Sequence, residues 1–518
     1  MWDSGAIIEY TKIKGLLYFM EAILSGLNVF LTQPMVLVAT IGGLFMGLVF
    51  GVVPGLTTVL GVTLMVPFTF AMTPTVGVST LIGIYIGGIS GGLITATLIN
   101  IPGSPANLTT CWDGYPMAKK GRPDLALSLG VFASLVGGVV SALALFTIAP
   151  VIAGFTIRMG SWESMAVCLL GLCIVSAVSG KDTIKGLIGA VLGLVLGAVG
   201  MDAISGIPRL TFGHWQLTGG ITMLGVMMGF FAIREICNQV GGLSKPREQI
   251  DVKKVSLIPP WKELKNCKPA LFFGSIVGIL VGILPGIGQT PACILAYNQT
   301  KRVSKHPERF GEGTPEGVVA SECGNSSCNG GNLIPMITLG IPGDAVTVVL
   351  IGGLMIHGLQ PGPLFISQNP DVVGTIMWSY LVASVLLYFM LLGLLRVFIK
   401  MINVKYSLLF PGIIVFCLFG IFAVNNRIFD IWVMIIFGVV GIILHALNVN
   451  MIALLLGFVL GPLVEVFFRR AMIASNGNFS AILERPVAVV FLVVAMFFLF
   501  WPALKSIYQA IRKKPAAS

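Results

Sequence analysis

Charge is scarce in this 518-residue chain: Asp, Glu, Lys and Arg together make up 10% of it, against roughly a quarter in soluble domains. With hydrophobic residues at 56% and a mean hydropathy of +0.95, the chain reads as an all-α polytopic membrane protein rather than a soluble one. Histidine is scarce as well. The four, His214, His306, His357 and His445, stand far apart, and no His-Glu-x-x-His occurs. A Gly-x-x-x-x-Gly-Lys-Ser/Thr phosphate loop is also missing, and Ile-Pro-Gly precedes Asp344 where an intramembrane aspartyl protease would carry Gly-x-Gly. These absences argue against an enzyme and against a resident cofactor. The nine cysteines are scattered, and Cys168, Cys173, Cys293 and Cys417 sit inside apolar runs, as small buried hydrophobes do. Cys323 and Cys328 lack the neighbours that a zinc site needs.

The net charge of +11 would suggest nucleic acid in a soluble domain, but here the positive-inside rule accounts for it and no nucleic-acid partner is expected. The densest basic run is Lys245, Arg247, Lys253, Lys254, Lys262, Lys265 and Lys268, which we place in the cytoplasm. Acidic residues precede the first basic one at the N-terminus, with no small-residue cleavage site, so no cleaved signal peptide is expected.

What the chain does have is an interrupted polar stretch, repeated. Residues 322–363 carry Asn325, Ser326, Ser327, Asn329 and Asn332 among glycines, then Ile341-Pro342-Gly343-Asp344. Glycine and proline at this density predict that the helix breaks throughout the stretch. Residues 87–121 repeat the pattern, with Gly87-Gly-Ile-Ser-Gly-Gly-Leu93 leading to Asn100-Ile-Pro-Gly103. Pro342 minus Pro102 is 240, and the same shift lays Gly331-Asn-Leu333 on Gly91-Gly-Leu93. A second pair, Gly51-Val-Val-Pro54-Gly55 and Gly282-Ile-Leu-Pro285-Gly286, is shifted by 231. Two motifs in the same order at nearly the same offset indicate an internal duplication, the ground plan shared by secondary transporters.

Residues 1–33 form an N-terminal segment, either a first span or an interfacial helix. Residues 34–236 form repeat one, 237–268 a basic linker, 269–468 repeat two, and 469–518 a last span and basic tail. Repeat one threads as a bent pair at Pro54-Gly55, a broken element at 76–118, and spans at 125–152, 162–179, 184–203 and 217–236. Repeat two follows the same order, with spans at 372–400, 406–424, 428–447 and 449–468 and an extra one at 486–504, making roughly twelve crossings of about 20 residues. Lys119, Lys120 and Arg122 follow the first broken element, whereas 357–369 after the second has no Lys or Arg; before the elements the bias reverses, with Lys301, Arg302, Lys305 and Arg309 ahead of the second. Equivalent loops therefore fall on opposite faces, as in an inverted-topology repeat. Arg469-Arg470 is the exception, placed outside by this threading.

Non-helical backbone at membrane depth must line a cavity or be buried in protein, so the broken elements are the candidate site. Free N–H groups at half-helix starts suit anions, and unwound carbonyls with Ser and Asn oxygens suit a hard cation. The candidate substrate and ion ligands are Ser90, Asn100, Ser104 and Asn107 in the first element, and Asn325, Ser326, Asn329, Asn332 and Asp344 in the second. Helix capping is the alternative role for each, and Asp344, directly after Pro-Gly, is well placed as an N-cap. The breaks themselves fall at Pro54, Gly55, Pro102, Gly103, Pro285, Gly286, Pro342 and Gly343.

Tyr85-Ile-Gly-Gly-Ile-Ser-Gly-Gly-Leu93 through Asn100-Ile-Pro-Gly103, then Cys111-Trp-Asp-Gly-Tyr-Pro-Met-Ala-Lys-Lys-Gly-Arg122, resembles the large permease subunit of tripartite tricarboxylate transporters, the TctA type. So do Gly330-Gly-Asn-Leu-Ile-Pro335 through Leu339-Gly-Ile-Pro-Gly-Asp-Ala-Val346, and Met355-Ile-His-Gly-Leu-Gln-Pro-Gly-Pro363, so that the likeness covers nearly the whole chain. The resemblance implies uptake of a carboxylate across a bacterial inner membrane with Na+ or H+ as coupling ion, and an elevator-type movement within the ion-transporter superfamily architecture. It also implies a small membrane subunit of the TctB type and a periplasmic binding protein of the TctC type as partners. Where the family is expected to carry an acidic residue after Asn-Ile-Pro-Gly, Ser104-Pro105 stands here, which bears on the coupling ion. The alternatives are a carboxylate symporter of similar fold that needs no binding protein, and a channel.

Overall fold

The computed structural model describes residues 4–156, 159–178, 183–202, 204–240, 258–402, 404 and 406–512. Lys245, Arg247, Lys253 and Lys254 of the basic linker, and Lys513 and Lys514 of the tail, lie outside the described residues. The first half comprises α1 (Ser4–Thr32), α2 (Pro34–Val52), α3 (Thr58–Thr69), α4 (Pro74–Ile99), α5 (Leu108–Lys119), α6 (Pro123–Thr156), α7 (Ser161–Val178) and α8 (Thr183–Gly197). A two-stranded pair, β1 (Gly200–Met201) and β2 (Pro208–Arg209), then leads to α9 (Met223–Met228), which runs through the π turn Gly229–Ile233 into α10 (Arg234–Val240). The second half has α11 (Trp261–Asn266), α12 (Lys268–Ile283), α13 (Gln289–Val303), α14 (Pro315–Leu339), α15 (Ala345–Ile356), α16 (Phe365–Gln368) and α17 (Pro370–Met401). It ends with α18 (Tyr406–Asn425), α19 (Ile428–Ala446), α20 (Met451–Ala474) and α21 (Pro486–Arg512).

Among the described residues, six helices are long and apolar enough to cross a membrane: α2, α4, α6, α17, α19 and α20. Shorter apolar helices accompany them, and the chain is an all-α polytopic membrane protein.

The polar stretches are helical where the sequence suggested otherwise. α4 runs unbroken through Gly87–Leu93 and α14 through Asn325–Asn332, and the interruptions are confined to residues 100–104 and 340–344. The reason lies in the packing. A Cβ on Gly47 would lie 2.4 Å from the Ile84 carbonyl oxygen, and one on Gly51 would lie 2.2 Å from that of Gly88. In the other half, Gly278 stands 2.6 Å from the Gly324 oxygen and Gly282 stands 2.5 Å from that of Cys328, measured in the same way. Glycine at these positions brings α2 against α4 and α12 against α14 backbone to backbone, and that close contact offsets the low helix propensity of the residues. The corresponding atoms are separated by the same 231 and 240 residues that the motifs show.

Around this centre α17 packs on α4, α6 packs on α14, and the two outer helices meet each other. A second group, α7, α8, α20 and α21 together with α9, the π turn and α19, contacts the first through α3, α15 and α18. Helix α8 ends at Gly197, earlier than the expected span to residue 203, and the described residues between it and α9 carry β1, β2 and a 3-10 turn at Trp215–Leu217 in place of the expected start of a span at 217. Asp202 explains it: its carboxylate accepts the backbone N–H groups of Ile204 (2.8 Å) and Ser205 (3.1 Å) and pairs with Arg469 (2.6 Å). Arg209 reaches Glu465 at 2.7 Å and Arg469 reaches the same carboxylate at 2.7 Å, so Arg469 sits in a compensated network.

Candidate functional site

Four helix starts meet at one cavity of about 470 Å³. Thr57 and Thr58 open α3, Gly288 and Gln289 open α13, Ser104 to Ala106 lead through one 3-10 turn into α5, and Asp344 with Ala345 opens α15. The opposite wall comes from Phe231, Arg234 and Glu235 and from Asn450, Ile452 and Leu456 of α20. The chain reverses or kinks at each of these starts because local residues compel it. Asn100 (φ 55°) and Gly340 (φ 71°) end α4 and α14 in the left-handed region, Gly55 and Gly286 do the same for the turns beside Pro54 and Pro285, and Pro102 and Pro342 cannot continue a helix. Gly103 and Gly343 then pass where no side chain fits: a Cβ would stand 2.5 Å from the Gly51 oxygen and 2.4 Å from Asn332 Oδ1.

Each return helix is capped across three residues. Asn107 Oδ1 accepts from Ser104 N (3.2 Å) and Ser104 Oγ (2.7 Å), while Asp344 Oδ1 accepts from Thr347 N (2.6 Å) and Thr347 Oγ1 (2.6 Å). The other oxygen of Asp344 takes the Tyr85 hydroxyl at 3.0 Å and the Gln289 amide. Tyr85 also accepts from Asn332 Nδ2 (3.2 Å), and Gln289 reaches Asn329 Oδ1 (3.1 Å), so α4, α13, α14 and α15 are tied together at one polar node.

A second node lies behind the first interruption. Glu322, fully buried on α14, accepts Thr110 Oγ1 (2.5 Å) and Asn107 Nδ2 (3.2 Å) on one oxygen and Ser134 Oγ (3.4 Å) on the other. Below it Asp113, also fully buried, takes the backbone N–H groups of Gly311, Gly313 and Thr314 at 3.0, 2.8 and 2.8 Å, and the Tyr297 hydroxyl at 2.7 Å.

Of the residues singled out from the sequence, Ser104, Asn107, Asn329, Asn332 and Asp344 fall in these nodes or on the cavity wall. Asn100 is exposed as the cap of α4. Ser90 Oγ is buried without a partner, as are both amide atoms of Asn325 and the Ser326 hydroxyl. The Ser326 carbonyl accepts the Tyr380 hydroxyl at 3.0 Å. Sequence reasoning passed over Glu322, Tyr85, Gln289, Thr110, Asp113 and Arg234. For Glu322 and Asp113 the signal was present, since an ionisable residue between apolar segments points to function by default.

Among the described residues, no group of three or more His, Cys, Asp or Glu could hold a metal ion. The cavity is walled by four helix starts, by Asp344, and by Arg234 paired with Glu235 at 3.5 Å. Residues 37–456 match the model of the tripartite tricarboxylate transporter TctA family, and the chain belongs to that family. It is 36% identical over 455 residues to an uncharacterized 52.8 kDa protein in the TAR-I ttuC' 3' region of Agrobacterium vitis, covering 88% of this chain and 90% of that one. A protein in the TAR-II ttuC' 3' region of the same organism is 37% identical over 211 residues, 41% of this chain and 87% of its own length. No solved structure matches the chain.

Proposed function

We propose that this protein is the large permease subunit of a binding-protein-dependent secondary transporter that imports a carboxylate, tricarboxylate-like substrate by symport with Na+ or H+ across the bacterial inner membrane. The observation that carries this reading is the meeting of four helix N-termini at one cavity with Arg234 on the facing wall. The dipoles of these helix starts place positive potential where carboxylate oxygens would sit. Asp344 lines the same space, and Glu235 there pairs with Arg234 at 3.5 Å, so a carboxylate entering alone would meet Asp344 as like charge. A cation that accompanies it removes that repulsion, which is the electrostatic case for symport.

The two halves, residues 34–236 and 269–468, form an inverted-topology pair with roughly twelve crossings, each needing about 20 residues. Helices α2 to α5 and α12 to α15 carry the site as one body, and the cavity lies where that body meets the Arg234 and α20 wall. Movement of the first against the second would expose the site alternately to the two sides, an elevator. A TctB-type subunit completes the permease, and a TctC-type protein delivers the substrate.

In proteoliposomes holding the permease with its small subunit, labelled citrate among a panel of mono-, di- and tricarboxylates should accumulate when the cognate binding protein and a Na+ or pH gradient are supplied, without ATP. Accumulation that ignores both gradients would overturn the symport reading.

A further inference from the structure

Among the described residues, Glu322 is a buried carboxylate with no basic partner. Its hydrogen bonds come from Asn107, Thr110 and Ser134, on the segment leading into α5, on α5 itself and on α6. The thiols of Cys111 and Cys293 are the other ionisable groups facing it. Among the described residues no ion pair includes it. A carboxylate with no countercharge is costly to hold at membrane depth, so a cation has to balance it during at least part of the working cycle. Asn325 stands beside the carboxylate one turn along α14, 1% exposed and within its hydrogen-bonding reach, and no other group among the described residues meets its amide. A buried amide whose only neighbour of opposite polarity is an uncompensated acid offers its oxygen to whatever cation that acid takes up.

The position also has a route to the cavity. Asn107 donates to Glu322 through its nitrogen and accepts from Ser104 through its oxygen, and Ser104, Pro105 and Ala106 form part of the cavity wall. We propose that Glu322 is the seat of the coupling cation, a single positive charge held by its carboxylate with the oxygens of Thr110, Ser134 and Asn325, and that Asn107 passes its occupancy to the first interruption. The inference rests on the transport reading above and adds the residue that carries the ion. A sodium ion and a proton share this chemistry. Sodium would draw on all four oxygen sources, while a proton on Glu322 would need only the Asn325 oxygen as acceptor.

The test compares unmodified protein with Glu322→Gln in the same proteoliposomes, at matched amounts of folded protein. Removing a buried charge and keeping its shape favours insertion. Citrate exchange at equal concentrations on both sides is measured first, then gradient-driven accumulation, once with a sodium gradient at equal pH and once with a pH gradient in choline medium. The variant should accumulate citrate only to the level reached without a gradient, and any exchange it retains should no longer vary with the concentration of the driving cation. The arm that drives the unmodified protein identifies sodium or proton. Thr110→Val, which keeps the acid, should accumulate citrate but need a higher concentration of the same cation. Undiminished gradient-driven accumulation by Glu322→Gln, or an unshifted cation requirement in Thr110→Val, overturns the assignment alone. Failure of the unmodified protein to exchange any carboxylate overturns the transport reading, and this inference with it.

Discussion

In the first interrupted element Ser104 precedes the return helix, and 240 residues on Asp344 takes the same place in the second. The backbones correspond, glycine for glycine at 51 and 282 and at 103 and 343, but the side chains differ in charge. The first element meets its carboxylate from across the interface, as Glu322 of α14, whereas the second carries its own in Asp344. Asparagine also changes sides: Asn107, on the return segment, fills the space above Gly92, while Asn332, on the long helix, fills the space beside Gly343. A shared backbone with exchanged side chains shows that the geometry of the interruption tolerates either arrangement. Charge is therefore free to be assigned to function.

The largest difference between the elements is at Asp113, which ties α5 to the loop before α14; 240 residues on, Gly353 of α15 faces only Leu81 and Val66. Asp113→Ala leaves three backbone N–H groups and the Tyr297 hydroxyl without their acceptor, and each such donor costs about 1–3 kcal/mol. With four such donors, a loss of about 4 kcal/mol or more is expected in thermal or denaturant unfolding in detergent. Gly353→Ala meets a movable leucine tip and should cost about 1 kcal/mol. Equal losses would mean that the latch is not confined to the first element.

Next come the caps. Ser104→Ala should destabilise by about 0.5–2 kcal/mol, the usual range for a lost cap, with uptake per folded molecule falling little. Asp344→Asn keeps a cap oxygen and removes the charge, so stability should hold while the cation concentration needed for half-maximal uptake rises. Should Asp344→Asn transport with unaltered ion dependence, the charge difference between the elements has no bearing on coupling at that position.

The smallest effect serves as a reference outside both elements. Backbone N–H groups of Ile204 and Ser205, with Arg469, hold the Asp202 carboxyl below the ordinary carboxylate range. A lowered value means that the loop gains stability at pH above the ordinary value of about 3.9 and loses it as pH falls below that, through the lower folded value. Protection of the Ile204 and Ser205 amides, relative to the unstructured exchange rate at each pH, should hold from pH 7 to about 4 and fall below it, with protection around the interruptions unaffected over the upper part of that range.

Much of this was legible in the residues alone. Low charge and high hydropathy dictate a bilayer environment, and in a bilayer the backbone has to be helical. The position of each break follows from Asn100-Ile-Pro-Gly and Gly340-Ile-Pro-Gly, because a left-handed residue and a missing N–H are local properties of the chain. Helix continuity through Asn325–Asn332 was not legible in this way, since propensity argued against it and only the glycine-to-backbone fit of α12 on α14 outweighs that preference. Nor could the sequence bring Thr110, Ser134 and Asn107 to Glu322 from about 190 to 215 residues away, or converge four helix starts on one space. A break is decided by the φ and ψ of a few neighbouring residues, whereas a site is decided by which distant surfaces bury one another, and only the folded chain settles that.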